Sequence, residues 1–194
     1  MEKIIAIYGS PNTTQGSRTF ALMSAFIDEY LKLHPNTTTV KWINLNDDEA
    51  ITSQVLNVNN FETWFVNQQY VNELLDCDKL VIGSPVNNLS ISTLIKNWID
   101  HIVIPGKSFM MQNGKIVGLL TNLKVQILIT KGGDINQMDV HSVGYLKDAF
   151  LTLGAQVNEP VFVDQTDRKI NANLSPTQII AKHHDKIMNA LKTF

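Results

Sequence analysis

The chain has 194 residues, 44% of them hydrophobic and 18% charged, with a formal net charge of −2. A chain of that length fits one domain spanning residues 1–194 and buries roughly 70% of the surface that its unfolded form exposes, enough for a core without covalent staples. The near-neutral charge, with no run of five like charges, excludes a nucleic-acid-binding stripe or a polybasic membrane patch, and the one cysteine, Cys77, excludes an internal disulfide or a cysteine-held metal cluster within one chain.

The opening apolar run, IIAIY at residues 4–8, is too short for a signal peptide, and no stretch approaches the roughly 18 apolar residues of a membrane span. The expected setting is therefore a reducing cytoplasm, with small molecules as partners, no nucleic acid and no membrane. The 19 asparagines scattered along the chain make any one loop asparagine weaker evidence of a site than usual.

Residues 3–8 (KIIAIY) end in Gly-Ser-Pro and read as a first strand buried on both faces. From Ser17 to Leu33, Leu22, Met23, Phe26, Ile27, Tyr30 and Leu31 recur at helical spacing until Pro35 stops them. Residues 38–45 alternate polar with β-branched and aromatic residues, as a strand near a sheet edge does, and a polar loop follows. Asn59 and Glu62 make a capping pair for a second helix that places Phe61, Trp64, Phe65, Val71, Leu74 and Leu75 on one face. Strand three is KLVIG, residues 79–83. Ile91, Leu94, Ile95, Trp98, Ile99 and Ile102 then form the cleanest amphipathic pattern in the chain.

Residues 104–122 are irregular, and Asn113-Gly114 between FMMQ and KIVG signals a type I′ hairpin, read as a flap. Strand four is VQILIT, residues 125–130, followed by a helix carrying Val143, Leu146, Phe150 and Leu153 and ending at Gly154. Strand five is VFVD, residues 161–164. Ser175, Pro176 and Gln178 start a last helix through Ile180, Ile187 and Leu191. Strict alternation of strand and helix forces parallel pairing through right-handed crossovers, which predicts a three-layer, doubly wound α/β fold with a five-stranded parallel sheet in the order 2-1-3-4-5.

Ligands of such sheets collect beyond the carboxyl ends of the strands where the order reverses, here between strands one and three. Three loops converge there. Gly9 to Thr19 (GSPNTTQGSRT) opens a helix N-terminus whose N–H groups favour a phosphate, with Ser10, Ser17 and Thr19 as hydroxyl donors. Alone, this loop reads equally well as a turn in which Ser17 caps the helix. It has neither GxGxxG nor GxxxxGK[ST]; a phosphate held by hydroxyls and backbone without a lysine points to a monophosphate such as that of FMN. The second loop, Ser84 to Ile91 (SPVNNLSI), reads either as an asparagine-rich turn or as a segment offering Asn87 and Asn88 to the polar edge of a flavin ring. The third, Thr130 to Asp134 (TKGGD), has paired glycines, Gly132 and Gly133, that on their own read as a turn but that also let the backbone approach a planar ligand and turn its N–H groups toward flavin N1.

The segment SPVNNLSISTLIKNWIDHI with GKSF from Gly106, Asn113-Gly114, GLLT, the TKGG loop, Asp139 and Tyr145-Leu146 together resemble the FMN-dependent NADH azoreductases, kin of the flavodoxin-like quinone reductases. Ser10, with Ser17, Thr19 and Leu22, matches the family's phosphate pattern. The resemblance implies a flavodoxin-like fold with bound FMN and NADH as reductant. It places Ser10, Ser17, Arg18 and Thr19 on the phosphate, Val86, Asn87, Asn88 and Leu89 along the ring, and Thr130, Lys131, Gly132 and Gly133 at its polar edge. It further implies ping-pong transfer of two electrons to a quinone or azo acceptor, and a homodimer with Phe109, Met110 and Met111 toward the partner. The family's usual methionine, aromatic residue and phenylalanine are replaced here by Val86, Asn87 and Leu89, which opens the question of substrate range and FMN affinity.

No acid/base constellation is visible, as expected if the flavin carries the chemistry, and no metal site is expected. His183 and His184 read as solvent-facing, His101 as a partner of a helix C-terminal dipole, His141 as near the TKGG loop, and Cys77, between two aspartates, as unreactive. Two rival readings are a non-catalytic flavodoxin-type electron carrier, against which the modest net charge argues, and an acyl carrier protein phosphodiesterase, for which no nucleophile or metal cluster is found. A receiver domain would require acidic residues where Gly9 and Ser10 stand.

Overall fold

Strand β1 (Glu2–Tyr8) passes through Ser17 into α1 (Arg18–Leu33), whose buried stripe includes Leu22, Met23, Phe26, Ile27 and Tyr30. The computed structural model describes the backbone of residues 1–194 and every side chain except that of Ser142. Next come β2 (Thr38–Asn44) and three short helices, α2 (Glu49–Ser53), α3 (Phe61–Trp64) and α4 (Gln69–Leu75). β3 (Lys79–Pro85) feeds α5 (Thr93–Ile102), and a hairpin of β4 (Phe109–Gln112) and β5 (Lys115–Gly118) precedes β6 (Lys124–Thr130). The remaining elements are α6 (Gln137–Thr152), β7 (Gln156–Val157), β8 (Val161–Val163), α7 (Pro176–Ala181) and α8 (His184–Leu191).

The main sheet is parallel, in the order β2-β1-β3-β6-β8, which is the expected 2-1-3-4-5 arrangement with β2 at an edge. The fifth position differs from a single strand VFVD. β7 pairs with Lys124 and Val125, whereas β8 pairs with Leu128, Ile129 and Thr130. Between these pairs the outer segment advances from Val157 to Val161 while β6 advances from Val125 to Leu128, so one extra residue is accommodated. Pro160 lies in this interruption, where its missing N–H breaks no ladder bond. Gln126, fully buried in β6, fills the gap: its Nε2 donates to the Glu159 carbonyl at 3.1 Å and its Oε1 accepts from Asn158 Nδ2 at 3.3 Å.

Alternation along each strand separates two cores. Ile5 and Ile7 of β1, Leu80 and Ile82 of β3, and Val125, Ile127 and Ile129 of β6 pack on one face with Trp98, Ile99 and Ile102 of α5 and Leu146 and Phe150 of α6. On the other face Ile4, Ala6, Tyr8, Val81 and Leu128 meet the α1 stripe, Ile180 of α7, and Ile187 and Leu191 of α8. Each fully buried isoleucine contributes about 2 kcal/mol of transfer free energy, so the sheet is clamped from both sides by the residues whose spacing predicted the layers.

Two helices are broken where continuity was expected. The polar segment after β2 holds α2, capped by Asp48, whose Oδ1 accepts from Ala50 N at 3.0 Å. The predicted Asn59–Glu62 cap is absent. Asn60 precedes α3 and bonds backward, its Oδ1 accepting from Asn57 N at 2.8 Å and its Nδ2 donating to Val55 O at 3.0 Å. Clustered asparagines offer the backbone such local partners in place of helical ones. Trp64, Val71 and Leu74 are buried, but Phe61 and Leu75 are exposed, so the six apolar residues do not form one face. The last helix keeps its predicted capping box at Ser175 and Gln178 but breaks at Lys182 and His183, with His183 at the start of α8.

The β4–β5 hairpin turns at Asn113 (φ 52°) and Gly114 (φ 73°), both left-handed as a type I′ turn requires. Gly118 seats it on the end of α6, since a Cβ there would lie 2.1 Å from the backbone of Leu153 and Gly154.

Candidate functional site

The carboxyl ends of β1, β3, β6 and β8 open onto one cleft of about 230 Å³. Ser10, Pro11, Asn12, Arg18, Thr19, Pro85, Val86, Asn87, Thr130, Lys131, Gly132, Thr166 and Asp167 line it. Four loops build this wall, and hydrogen bonds between them hold its shape.

The first loop is set by its own polar groups. The Tyr8 hydroxyl donates to Asn12 O at 2.7 Å, Asn46 Nδ2 donates to Ser10 O at 2.8 Å, and Ser10 Oγ accepts from Asn12 N at 3.3 Å. Ser17 caps α1, its Oγ accepting from Phe20 N at 3.1 Å, and is buried beneath the cleft rather than lining it. One turn into the cleft wall, the Thr19 and Thr130 hydroxyls share a hydrogen bond of 2.6 Å, joining α1 to the end of β6.

The second loop continues the β3–β6 ladder through Val86 N to Thr130 O at 2.8 Å, and Ser84 and Ser92 anchor its two ends. Ser92 N donates to Ser84 Oγ at 3.0 Å, and the Ser92 hydroxyl donates to the Gly9 carbonyl. Between them Asn87 and Ser90 exchange backbone bonds of 2.8 and 2.9 Å around a turn with Asn88 (φ 47°) and Leu89 (φ 65°). This turn carries Asn88 and Leu89 away from the cleft. Asn88 lines an adjoining cavity of about 470 Å³ with Asn87, Ser90, Ile91, Thr93, Lys96 and Tyr145, and Leu89 is exposed. Burial raises the Tyr145 phenol above its ordinary range, with Lys96 opposing and Asp100 reinforcing the shift.

The third loop is pinned from below. Lys131 Nζ pairs with Asp139, whose carboxylate is wholly buried in the first turn of α6. Burial alone would raise the Asp139 carboxyl, but the Lys131 ammonium and the Asn136 N–H together hold it below the usual carboxylate range.

A fourth loop, after β8, was not found from sequence. Gln165 N donates to Gly133 O at 2.8 Å, Thr166 N to Lys131 O at 3.1 Å and Asp167 N to Gly132 O at 3.0 Å. Thr166 and Asp167 thereby reach the cleft, where Asp167 Oδ1 sits 2.5 Å from Arg18 Nη1. The Asp167 carboxylate lies over Gly132, where a Cβ would fall 2.0 Å from Oδ2, so the glycine makes room for it. The only available signal was that strand five, like the others, must end at this rim.

Of the twelve residues singled out, Ser10, Arg18, Thr19, Val86, Asn87, Thr130, Lys131 and Gly132 share the cleft, while Ser17, Asn88, Leu89 and Gly133 stand outside its lining. The histidine readings also divide. His101 lies in the last turn of α5, where it was expected, but it is buried: it stacks on Trp64 at 4.0 Å, and neither ring nitrogen has a hydrogen-bond partner. His184 approaches Glu29 at 3.7 Å, and His141 is exposed. Cys77 is buried, and burial with neighbouring carboxylates pushes its thiol up to about 12. Among the described residues no group of histidine, cysteine and carboxylate side chains is placed to hold a metal, and no helix is long and apolar enough to cross a membrane.

The donor set is a guanidinium, hydroxyls and amides beside the apolar Pro11, Pro85 and Val86. Arg18 Nε is buried with no acceptor. Such a lining fits a ligand with an anionic end and a planar, amide-edged body, the chemistry of a flavin mononucleotide.

A family model described as having a flavodoxin-like fold matches residues 2–189. FMN-dependent NADH:quinone oxidoreductase 1 and 2 of Mesoplasma florum are 30% and 33% identical to the chain, each over the whole of both sequences. The chain belongs to this flavodoxin-like oxidoreductase family. Among solved structures, an azoreductase from Bacillus anthracis superposes with a TM-score of 0.78 at 22% identity over the whole of both chains. An FMN-dependent NADH-azoreductase from the same species, in complex with FMN, gives 0.74 at 22% identity over 100% of this chain and 99% of that one. At that identity the likeness establishes the fold.

Proposed function

We propose that this protein is an FMN-dependent NADH oxidoreductase acting on quinone or azo acceptors. The observation that carries the reading is the convergence of four loops on a cleft holding Arg18 and four hydroxyl side chains, in a chain similar along its whole length to oxidoreductases of that name. Ser10, Arg18 and Thr19 would hold the phosphate, Val86 and Asn87 one side of the ring, and Thr130, Lys131 and Gly132 its polar edge. Bound FMN would supply the redox chemistry, taking hydride from NADH and passing two electrons to the acceptor in alternating half-reactions. The chain's part is to fix the ring against Pro85 and Val86, keep one ring face open and place N–H donors where negative charge gathers.

The single domain spans residues 1–194, and the chain works as a homodimer. Exposed Met110, Met111 and Ile116 on the hairpin supply apolar surface for the partner, whereas Phe109 turns inward onto the core. Sedimentation of FMN-loaded protein as a monomer at all concentrations would remove the dimer.

The test of the reaction is anaerobic. NADH added to the protein with FMN is expected to bleach the flavin absorbance, and a quinone to restore it. Binding of FMN without bleaching would leave an electron carrier instead; absence of binding would overturn the reading.

A further inference from the structure

The cleft and the segments that follow its strands carry three cations, Arg18, Lys131 and Arg168, and four carboxylates, Asp134, Asp139, Asp164 and Asp167, and their pairing leaves one cation open to a ligand. Lys131 is taken by Asp139 and Arg168 by Asp134. Asp164 accepts from Ile135 N at 3.2 Å. Arg18, with five donors, has one partner among the described residues, Asp167, and its Nε is buried with no acceptor. A guanidinium so poorly satisfied, one residue beyond the α1 N-cap and lining the same cleft as Ser10, is placed to read an anion.

The geometry points to Asp167 as an internal substitute for the cofactor's phosphate, holding Arg18 until a phosphate replaces it. The inference rests on the FMN reading and adds to it the residue pair that discriminates a phosphorylated flavin from an unphosphorylated one. Two observations support replacement rather than simple support of Arg18. Arg18, Lys131 and Arg168 each already face a carboxylate, so an incoming dianion meets no free cation among them unless Arg18 is released to it. Asp167 also occupies space that is open only because residue 132 is glycine, and it lines the same cleft as Arg18 and Ser10. Its backbone is fixed independently, through Asp167 N to Gly132 O, so the side chain can leave Arg18 without the loop coming apart.

The experiment compares FMN with riboflavin, which lacks the phosphate, by quenching of flavin fluorescence in the wild type, Arg18→Gln and Asp167→Asn, with circular dichroism confirming that each variant is folded. Arg18→Gln is expected to weaken FMN binding about tenfold, the usual size of a lost charge-assisted hydrogen bond, and to leave riboflavin unchanged. Asp167→Asn is expected to tighten FMN binding several-fold, with riboflavin again unchanged and the gain shrinking at high salt. Weaker FMN binding in Asp167→Asn would overturn the inference and make Asp167 a support for Arg18. Parallel changes for both flavins would also overturn it, because the pair would then shape the cleft without reading phosphate. Failure of the wild type to bind either flavin would bring down the functional reading itself, a result distinct from both.

Discussion

Lys131 and Asp139 form an ion pair across the turn from β6 to α6, with the carboxylate wholly buried and the ammonium 16% exposed. Asp139 also accepts from Asn136 N at 2.9 Å, closing the capping box of α6, while its Oδ1 has no partner. Removing its charge leaves Lys131 uncompensated at the base of the cleft. Asp139→Asn is expected to cost about 3 kcal/mol in urea unfolding at neutral pH. Because the folded carboxyl is held below its ordinary value, this stability is present above about pH 4, the unfolded value, and is lost as pH falls through the lowered folded one. The acid limb of the wild-type stability profile should therefore be steeper than that of the variant.

His101 also loses stability toward acid, but because the fold favours its neutral form rather than its charged one. Burial lowers its imidazole below the ordinary range against the pull of Asp48 and Asp100, so between the lowered folded value and the unfolded one it is neutral when folded and gains a proton on unfolding. The unfolded state thus binds more protons below about pH 6.5, and stability declines as pH falls from that value toward the lowered folded one. His101→Phe keeps a ring against Trp64 and removes two unpartnered nitrogens. Its stability at pH 8 should match the wild type within about 1 kcal/mol, and its loss between about pH 7 and pH 5 should be smaller. Thermal melts across that range decide the matter.

The hydroxyl bond between Thr19 and Thr130 links two loops far apart in sequence. Thr19→Val or Thr130→Val leaves the other hydroxyl buried and unmatched, at an expected cost of about 1–2 kcal/mol each. The double variant should lose less than the sum of the two, by about 1 kcal/mol, because it strands neither group. Denaturant titration of all four proteins measures this coupling, and strict additivity would contradict it.

Gly118→Ala should destabilise by about 3 kcal/mol, because its new methyl meets the backbone at Leu153 and Gly154, which cannot swing aside as a side chain can. Gly133→Ala, with open space at that point, is the control and should stay near the wild type in the same urea titration.

The sheet was legible because KIIAIY, KLVIG and VQILIT are apolar on both faces and each is followed by helical spacing; once the alternation is read, the right-handed crossover leaves few orders to choose from. Less legible was anything decided by backbone detail. The Asn57–Asn60 cluster competes with the helix it was expected to cap, and the two left-handed residues Asn88 and Leu89 turn out of a cleft that their position in the loop implied. Thr166 and Asp167 were invisible because QTD after a strand looks like any polar turn, and only the folded chain shows it lying on the TKGG loop. Asp139 was noted as a family match, but its role as the counter-ion of Lys131 depends on burial that sequence does not record.

The buried amide of Gln126 solves a problem that the outermost part of the sheet would otherwise leave open. A strand apolar on both faces carries no alternation to say which residue should face which, and could slide along its neighbour by two places without exposing anything. At Gln126 a slide in either direction would strand an amide in a dry interior, away from the Glu159 carbonyl and the Asn158 side chain that now satisfy it. One polar side chain thus serves as the detent for the whole seam. In holding β8 in step with β6, it also fixes where the following turn emerges, and with it how far the Asp167 carboxylate reaches toward Arg18.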